Sequence, residues 1–416
     1  MTSQAPAVER SRTLDVLRGL TILVMIFVND VAGVRDVPAW MKHVSPSDAD
    51  GMTFVDVVFP AFLFIVGLSI PLALGKRLDR GEPLGRTWRH VLARTGSLLL
   101  LGLFMVNAEN FSDAGWLSPA LWSLLFYAGV FLSFGLSPAA HPDAAPTAAA
   151  RLRRGAGVAL LVAAALLFRG RGEPGLVELR PHWWGILGLI GWAYLVACAI
   201  FILLRRNLAA VVGTIPLLYC LYVAHAAGAF SGFSWLSGWI HVGSMLGSQA
   251  AITVSGLAMG IVLSSGDSAA TPSQRLRFAF LYAVALAAAA HLLHAAHGIH
   301  AMFIFNKNLA TPPWCLLSSA ITVAVWAALY CIIDLRGSHR WASLLEGAGQ
   351  NALTAYLLAF VLDAFLNLLS QATGLPNVYA ALGDHFATGF ARSILLALGI
   401  AWLARRLRRT SLQLAL

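Results

Sequence analysis

Ionisable side chains stand at the edge of two apolar runs in the stretch from Asn29 to Pro71. The chain leaves one apolar run, crosses a polar loop that contains His43, and enters a second run with Asp56 near its start. Ionisable groups at the border of a bilayer are costly to keep, which makes them candidates for function. A neutral imidazole accepts a proton from an amine or a hydroxyl, and a carboxylate on its other nitrogen fixes the tautomer. We hypothesise that Asp56 orients His43 as a catalytic group; the alternative is a solvated loop without a function.

Two further polar stretches could contribute to a site. Lys307 and Asn308 lie in an outer loop before a proline pair, where a lone lysine among amides could bind an anionic or polar ligand. The alternative is a lysine that snorkels from the start of a span. Asn351 lies at the start of another apolar run, where a buried amide must be hydrogen-bonded. It could line a pocket or simply join two helices.

Four histidines recur at intervals of three residues: His291, His294, His297 and His300. Each step of three falls about 60° short of a full helical turn, so only adjacent pairs could share an ion on one helix. No cysteine or acidic ligand is close in the sequence. Histidines that pack polar helices or handle protons are the alternative to a metal site, and we expect no metal.

Composition indicates an integral membrane protein. Of the 416 residues, 58% are apolar and only 12% are charged, against roughly 25% charged in a soluble globular protein. The net charge of +10 invites a nucleic-acid interpretation, but the basic residues stand in short clusters between apolar runs, which is typical of the positive-inside rule. We therefore expect the lipid bilayer, and no nucleic acid, as a partner. The four cysteines lie in apolar runs without metal-ligand spacing, which predicts free thiols.

Twelve apolar runs are candidate spans, since about 20 apolar residues cross a bilayer core of roughly 30 Å. They cover residues 14–32, 55–75, 92–108, 118–137, 155–168, 185–203, 208–230, 247–265, 277–297, 314–334, 348–370 and 386–404. With the N-terminus inside, 22 lysines and arginines fall in inner segments and 6 in outer loops. This asymmetry predicts cytoplasmic termini and an extracytoplasmic His43 loop. The expected fold is all-α: one polytopic transmembrane helical bundle over residues 1–416, with tryptophans such as Trp40, Trp235 and Trp314 mostly in an interfacial belt.

Short motifs occur in a fixed order along most of the chain. They are Arg12–Leu20 (RTLDVLRGL), Val28–Asn29, Lys42–His43, Asp50–Pro60 (DGMTFVDVVFP), Phe64–Ile70 (FIVGLSI), Gly185–Leu187, Asn306–Leu309 (NKNL) and Gly349–Leu353 (GQNAL). The ordered set resembles the heparan-α-glucosaminide N-acetyltransferase family and its bacterial relatives, which are membrane-embedded acetyltransferases. The stretch 111–180 looks like a two-span insertion in a ten-span family core. No tryptophan stands between His43 and Gly51, unlike the family's short His-Ala-x-Trp-x-Gly spacing, which places the chain in a divergent bacterial branch.

The resemblance implies acetyl-CoA as the donor on the cytoplasmic side and an amino sugar or envelope glycan as the acceptor on the other side. It also implies that His43, matched through the Lys42–His43 pair, is the catalytic residue, either as a base or as a covalent acyl carrier, with Asp56 beside it. A homodimer is implied by the family alone. We assign substrate or cofactor binding to polar residues in or near the motifs: Asp15, Arg18, Asn29, Asp30, Lys307, Asn308 and Asn351.

The sequence thus predicts a transmembrane acyltransferase in the inner membrane of a bacterium. The basic cluster from Lys76 to Arg94 could attract the phosphates of CoA, or it could serve only as a topology signal. The rival hypothesis is a multi-span solute transporter without CoA chemistry. Twelve spans with both ends inside are a common carrier layout, and Asp56 and Pro60 would then mark the substrate path. No two-fold repeat links the halves of the chain, and the use of CoA separates the two hypotheses.

Overall fold

The structure, a computed structural model, describes residues 12–112, 117–135, 147–170, 178–233, 235, 238–264, 271–408, 410 and 412–414. These residues form helices joined by short loops and no strand. The helices are α1 (Arg12–Val31), α2 (Val55–Asp79), α3 (Leu84–Ala108), α4 (Pro119–Phe134), α5 (Ala148–Leu167), α6 (Gly185–Leu204), α7 (Leu208–Ala226), α8 (Gln249–Ser264), α9 (Pro272–His294), α10 (Pro312–Tyr330), α11 (Ser343–Gly349), α12 (Ala352–Thr373), α13 (Val378–Ala381) and α14 (Phe386–Leu407). The prediction of an all-helical membrane bundle is confirmed.

Nine helices in the described part of the chain are long and apolar enough to cross a membrane. They are α2, α3, α6, α7, α9, α12 and α14, together with Val242–Ser264, in which a π-helical turn precedes α8, and Pro312–Leu335, in which one follows α10. The other three predicted spans coincide with α1, α4 and α5. Helix α1 carries Asp15, Arg18 and Asp30, α4 has 16 residues, and three arginines lie in the first half of α5. The count of twelve spans and the cytoplasmic termini remain predictions.

The chain divides into two compact units. The first contains the described part of Met1–Thr21 with Ala39–Thr95 and Ile190–Glu346; the second contains Ile22–Pro38, Gly96–Leu189 and Gly347–Leu416. The prediction of one functional domain over residues 1–416 remains a prediction. Of the predicted insertion 111–180, residues 113–116, 136–146 and 171–177 lie outside the described residues, and the described parts hold α4 and α5 in the second unit.

Close contact between α2 and α8 forms the centre of the first unit. A Cβ atom built on Gly67 of α2 would lie 1.7 Å from the Thr253 carbonyl oxygen of α8. One built on Gly256 of α8 would lie 1.9 Å from the Phe64 carbonyl oxygen of α2. Small residues let helix backbones approach closely where lipid offers no hydrophobic driving force for association. This contact fixes α2, and with it the start of α2, where Asp56 stands.

We expect Gly67→Ala to destabilise the first unit, because its Cβ would meet backbone atoms that cannot rotate away. The expected loss is about 1–3 kcal/mol of unfolding free energy, as for other overpacked cores. Thermal unfolding of the protein in detergent, followed by tryptophan fluorescence, measures this loss. Gly213→Ala in α7 is the matched control, since a Cβ there meets nothing within 4 Å. A Gly67→Ala protein as stable as the Gly213→Ala protein would contradict the close α2–α8 contact.

The second unit packs its helices around aromatic and small side chains. Phe104 of α3 stacks on Phe126 of α4 with ring centroids 4.8 Å apart, and the indole N–H of Trp122 donates to the Ala164 carbonyl of α5 at 2.8 Å. Helices α4 and α5 therefore join the aromatic core of α3 within this unit. The residues 111–180 were predicted as an insertion, and their described helices are packed parts of the second unit.

Candidate active site

The start of α2 forms the base of the site. The Asp56 carboxylate lies in the first helical turn, where a negative charge is favoured by the helix dipole. Its Oδ2 accepts hydrogen bonds from the Thr53 backbone N–H at 2.9 Å and from the Thr53 hydroxyl at 3.2 Å. The Thr53 hydroxyl also lies 2.8 Å from the Lys42 carbonyl oxygen. Thr53 therefore links the start of α2 to the chain segment that carries His43.

His43 and Asp56 form a hydrogen-bonded pair. The distance from His43 Nδ1 to Asp56 Oδ1 is 2.6 Å. The side chain of His43 is 48% exposed, whereas that of Asp56 is 3% exposed. A buried carboxylate that accepts a hydrogen bond from Nδ1–H keeps the proton of a neutral imidazole on Nδ1. The lone pair of Nε2 is then available to take a proton or to attack a carbonyl carbon. The sequence predicted that these two groups lie on one side of the membrane, and the structure brings them into contact.

Lys307 lies against the His43 ring. Its Nζ atom is 3.0 Å from Nε2 and 3.3 Å from Nδ1. The two ring nitrogens point in diverging directions, so an atom this close to both lies against the ring rather than in line with either one. Burial lowers the pKa of the Lys307 ammonium below its usual range, while the charge of Asp56 opposes that shift. The result is one cation held beside a histidine–carboxylate pair.

Amide side chains join the Lys307 segment to the His43 loop. The Asn306 side-chain amide donates to the carbonyl oxygens of Ser47 and Ala49, both at 2.9 Å. The Asn308 amide donates to the same Ser47 carbonyl at 2.9 Å. Asn308 was predicted to bind substrate; the contact that the structure gives it is this one, with the loop. Asn306, which was not among the predicted site residues, makes the larger number of contacts and is buried.

Asp15 and Arg18 lie at a different place in the first unit. Arg18 donates to Asp15 Oδ1 at 3.3 Å and to the Ser69 hydroxyl at 2.9 Å. Ser69 follows Asp56 by thirteen residues on α2, which corresponds to about 20 Å along the helix axis. The first unit therefore does not bring Asp15 and Arg18 to His43. Their binding role remains a prediction.

Asp30 and Asn351 belong to the second unit, as does the exposed Asn29. Asp30 accepts hydrogen bonds from the Tyr379 hydroxyl at 2.6 Å, from Arg392 at 3.1 Å and from the Ser393 hydroxyl at 2.6 Å. The Asn351 amide donates to the Ala404 carbonyl of α14 at 3.1 Å, the helix-joining contact that was the alternative to a pocket role. The binding roles of these residues remain predictions.

Two contacts at the site were missed in the sequence. Trp314 was grouped with the interfacial tryptophans, but it is fully buried, and its indole N–H lies 3.2 Å from the Asp56 carbonyl oxygen. The position of Trp314 directly after Pro312 and Pro313, at the first turn of α10, was the signal for a fixed helix start. Thr53 was part of the quoted motif without an assigned role.

Among the described residues, no group of three histidine, cysteine or acidic side chains could hold a metal ion.

Comparison with known proteins supports the resemblance found in the motifs. A family model described as "Domain of unknown function (DUF5009)" matches residues 10–240, which is more than half of the chain. The human heparan-alpha-glucosaminide N-acetyltransferase is 33% identical over 128 residues, which are 31% of this chain and 18% of that protein. The mouse protein of the same name matches to the same extent. The matched stretch thus covers less than a fifth of the length of these curated relatives.

Proposed function

The chain belongs to the DUF5009 family, and from this premise we propose that it is a membrane-embedded, acetyl-CoA-dependent acetyltransferase whose acceptor is an amine or hydroxyl of an amino sugar or envelope glycan. The observation that carries the proposal is the His43–Asp56 pair with Lys307 beside it. The two relatives are N-acetyltransferases by name, and the stretch that matches them is 31% of this chain. A solute transporter is not favoured by these relatives.

The pair supports two forms of acetyl transfer. In direct transfer, the nitrogen of the acceptor amine bonds to the acetyl carbon while His43 Nε2 takes a proton from that amine. The C–S bond then breaks, and the proton passes from His43 to the CoA thiolate. In covalent transfer, Nε2 attacks the acetyl carbon, the C–S bond breaks, and the CoA thiolate takes a proton from the Lys307 ammonium. The acceptor then attacks the acetyl carbon, the bond to Nε2 breaks, and the acceptor's proton returns to Lys307. Asp56 stabilises the positive charge that develops on His43 in both forms.

Lys307 supplies positive charge where the reaction needs it. Attack on a thioester carbonyl places negative charge on the carbonyl oxygen, and a fixed cation in a partly buried site stabilises that charge. The Lys307 Nζ lies 3.0 Å from the nitrogen that would act on the acetyl group. Since burial lowers its pKa, the ammonium also becomes a better proton donor to the leaving thiolate than a solvated lysine.

The donor is proposed to enter from the opposite end of α2. Lys76 follows Asp56 by twenty residues, about 30 Å along the axis, which matches the thickness of a bilayer core. Lys76, Arg77 and Arg18 would attract the phosphates of CoA there. We accordingly place the His43 loop outside the inner membrane of a bacterium, with the protein acting as a single domain. A homodimer is part of the same proposal and rests on the family alone.

An aromatic pair at the site suits a sugar acceptor. Trp40 lies three residues before His43, and Phe54 lies two residues before Asp56. Their ring centroids are 5.7 Å apart, and the two side chains are 63% and 39% exposed. The contacts of His43 with Asp56 and of Lys42 with Thr53 hold the two segments together. Exposed rings fixed beside a reacting group offer an apolar face to the C–H side of a pyranose.

We expect Trp40→Ala to raise the KM for an amino-sugar acceptor by about 5-fold, because a stacked ring contributes roughly 1 kcal/mol. The KM for acetyl-CoA and the turnover number should change less than threefold. Trp235→Ala is the matched control, since Trp235 is also highly exposed in the first unit and was assigned to the same interfacial belt. Equal effects of the two substitutions on acceptor KM would show that Trp40 is only an interfacial residue.

The test of the proposed function is acetyl transfer by the purified protein in detergent. Acetyl-CoA and glucosamine are mixed with the protein, and free thiol and N-acetylated sugar are measured together. We expect one thiol per acetylated sugar. A protein that neither binds acetyl-CoA nor releases its thiol, but carries a solute across vesicles, would refute the proposal in favour of the transporter.

A further inference from the structure

A second histidine–aspartate contact joins the two loops of the site to α9. His294, the last residue of α9, lies with Nε2 2.7 Å from Asp50 Oδ2. The other oxygen of Asp50 accepts the Phe305 backbone N–H at 2.8 Å. The His294 ring stacks on the Phe305 ring with centroids 4.3 Å apart. We call Asp50, His294 and Phe305 the clasp.

The clasp contacts the segment that carries Lys307. The Gly51 N–H donates to the Phe305 carbonyl at 2.9 Å, so Asp50–Gly51 and Phe305 are hydrogen-bonded in both directions. Phe305 precedes Lys307 by two residues, and the loop with Asp50 is the loop that begins with His43. A shift of Phe305 relative to Asp50 would therefore move Lys307 relative to the His43 ring.

His294 gives this pairing a fixed support. Loop segments alone are mobile relative to the elements that they connect, whereas His294 ends a helix of 23 residues. Its ring stacks on the Phe305 ring and also on the His297 ring, whose centroid is 4.9 Å away. Burial raises the pKa of Asp50, but the hydrogen bonds from His294 and the Phe305 amide and the nearby histidine charges outweigh it, so the pKa lies below its usual range. The carboxylate is therefore charged at neutral pH and holds both donors strongly.

We propose that Asp50 and His294 are positioning residues that hold Lys307 against the His43 ring. The histidine cluster at 291–300 then has a role other than metal binding: one of its members fixes the cation of the site. For catalysis this inference rests on the proposed acetyl transfer, but the geometry it asserts can be tested without that reaction. His43 and Lys307 are separated by 264 residues in the sequence, and the clasp is one of the contacts that join their segments.

The test uses the chemical reactivity of His43 in the full-length protein. Diethyl pyrocarbonate acylates neutral imidazoles, and mass spectrometry gives the modification rate of His43 alone. Measured at mildly alkaline pH, where a solvated imidazole is neutral, Lys307→Met should raise that rate about fivefold or more, because acylation places positive charge on the ring and a cation 3.0 Å from Nε2 opposes it. His294→Phe keeps a ring on Phe305 but loses the donor to Asp50, and should raise the rate by a similar factor. His294→Gln, which keeps a donor near the Nε2 position, should restore at least half of the protection.

The double variant His294→Phe, Lys307→Met decides between positioning and general loosening. If His294 acts through Lys307, His43 is acylated no faster in the double variant than in Lys307→Met alone, because the effects of coupled residues do not add. Additive increases would overturn the proposal, as would a His294→Phe protein with wild-type reactivity. His339→Phe is the control for loss of a histidine outside the clasp, since the Nδ1 of His339 lies 2.8 Å from the Gly337 carbonyl oxygen of its own turn.

Turnover separates this inference from the proposed function. If acetyl transfer occurs, His294→Phe should lower kcat by about 10- to 100-fold, the cost of misplacing a reacting group by about 1 Å, with little change in the KM for acetyl-CoA. If the wild-type protein transfers no acetyl group, the proposed function fails while the reactivity measurement still confirms or refutes the clasp.

Discussion

Acetyl transfer is expected to fall by about 10³-fold or more when His43 is replaced by alanine. The substitution removes the imidazole ring, whose Nδ1 contacts Asp56 and whose Nε2 lies 3.0 Å from the Lys307 Nζ atom. Binding of acetyl-CoA should change little, because His43 lies at the end of α2 away from the basic residues proposed to bind CoA. Single-turnover transfer and equilibrium binding, measured on the same preparation, separate the two effects.

The control for His43→Ala is His339→Ala, a half-buried histidine of the first unit whose Nδ1 lies 2.8 Å from the Gly337 carbonyl oxygen of its own turn. It should transfer acetyl groups at the wild-type rate. A His43→Ala protein that retains more than a tenth of the wild-type rate would exclude His43 as either the base or the acyl carrier, and attention would move to Lys307 as the nucleophile.

Replacing Asp56 by asparagine is expected to lower turnover by about 10²-fold or more. The amide has the same shape, but it carries no charge to stabilise the developing imidazolium, and its NH₂ group can select the wrong tautomer of His43. The KM for either substrate should change little. Because Asp56 also accepts the Thr53 N–H at the start of α2, a moderate loss of thermal stability should accompany the loss of activity.

Asp48→Asn is the matched control for Asp56→Asn. It removes a carboxylate from the same loop region, but Asp48 is exposed at the surface. Wild-type turnover is expected for this variant. If Asp56→Asn retains the wild-type rate, the 2.6 Å contact with His43 has a structural role only, and the orienting role assigned to Asp56 is wrong.

Hydropathy predicted the helices well, because a membrane span must be apolar over most of its length and must form its backbone hydrogen bonds internally. The run 55–75 became Val55–Asp79, which continues through the basic residues Lys76 and Arg77 in its last turn. The run 155–168 was cut short at Arg154, but the helix begins at Ala148. Its arginines lower the hydropathy without disfavouring helix, since arginine is a good helix former.

Several residues of the site could be predicted from the sequence, but most of the contacts between them could not. His43 and Asp56 were paired on chemistry, and thirteen residues separate them, so a meeting at the loop base was a reasonable hypothesis. The approach of Lys307 depends on how α10 and the His43 loop pack, which no local pattern encodes. The role of His294 depends on the same packing.

Asp30 shows the opposite case. It was assigned to substrate or cofactor binding as a polar residue beside the Val28–Asn29 motif, but the carboxylate lies in the second unit, 3.1 Å from Arg392. An arginine within an apolar run needs a counter-ion. The position of Arg392 in the last predicted span was therefore a signal for a structural acidic partner, and Asp30 was a candidate for it.

Transfer across sealed vesicles tests the central claim most directly. The protein is reconstituted with glucosamine trapped inside, and acetyl-CoA is added outside only. We predict that N-acetylglucosamine accumulates inside while an equal amount of CoA thiol appears outside, and that both stop in the His43→Ala protein. Movement of unmodified glucosamine across the membrane, without thiol release and without dependence on His43, would contradict the account and establish a transporter.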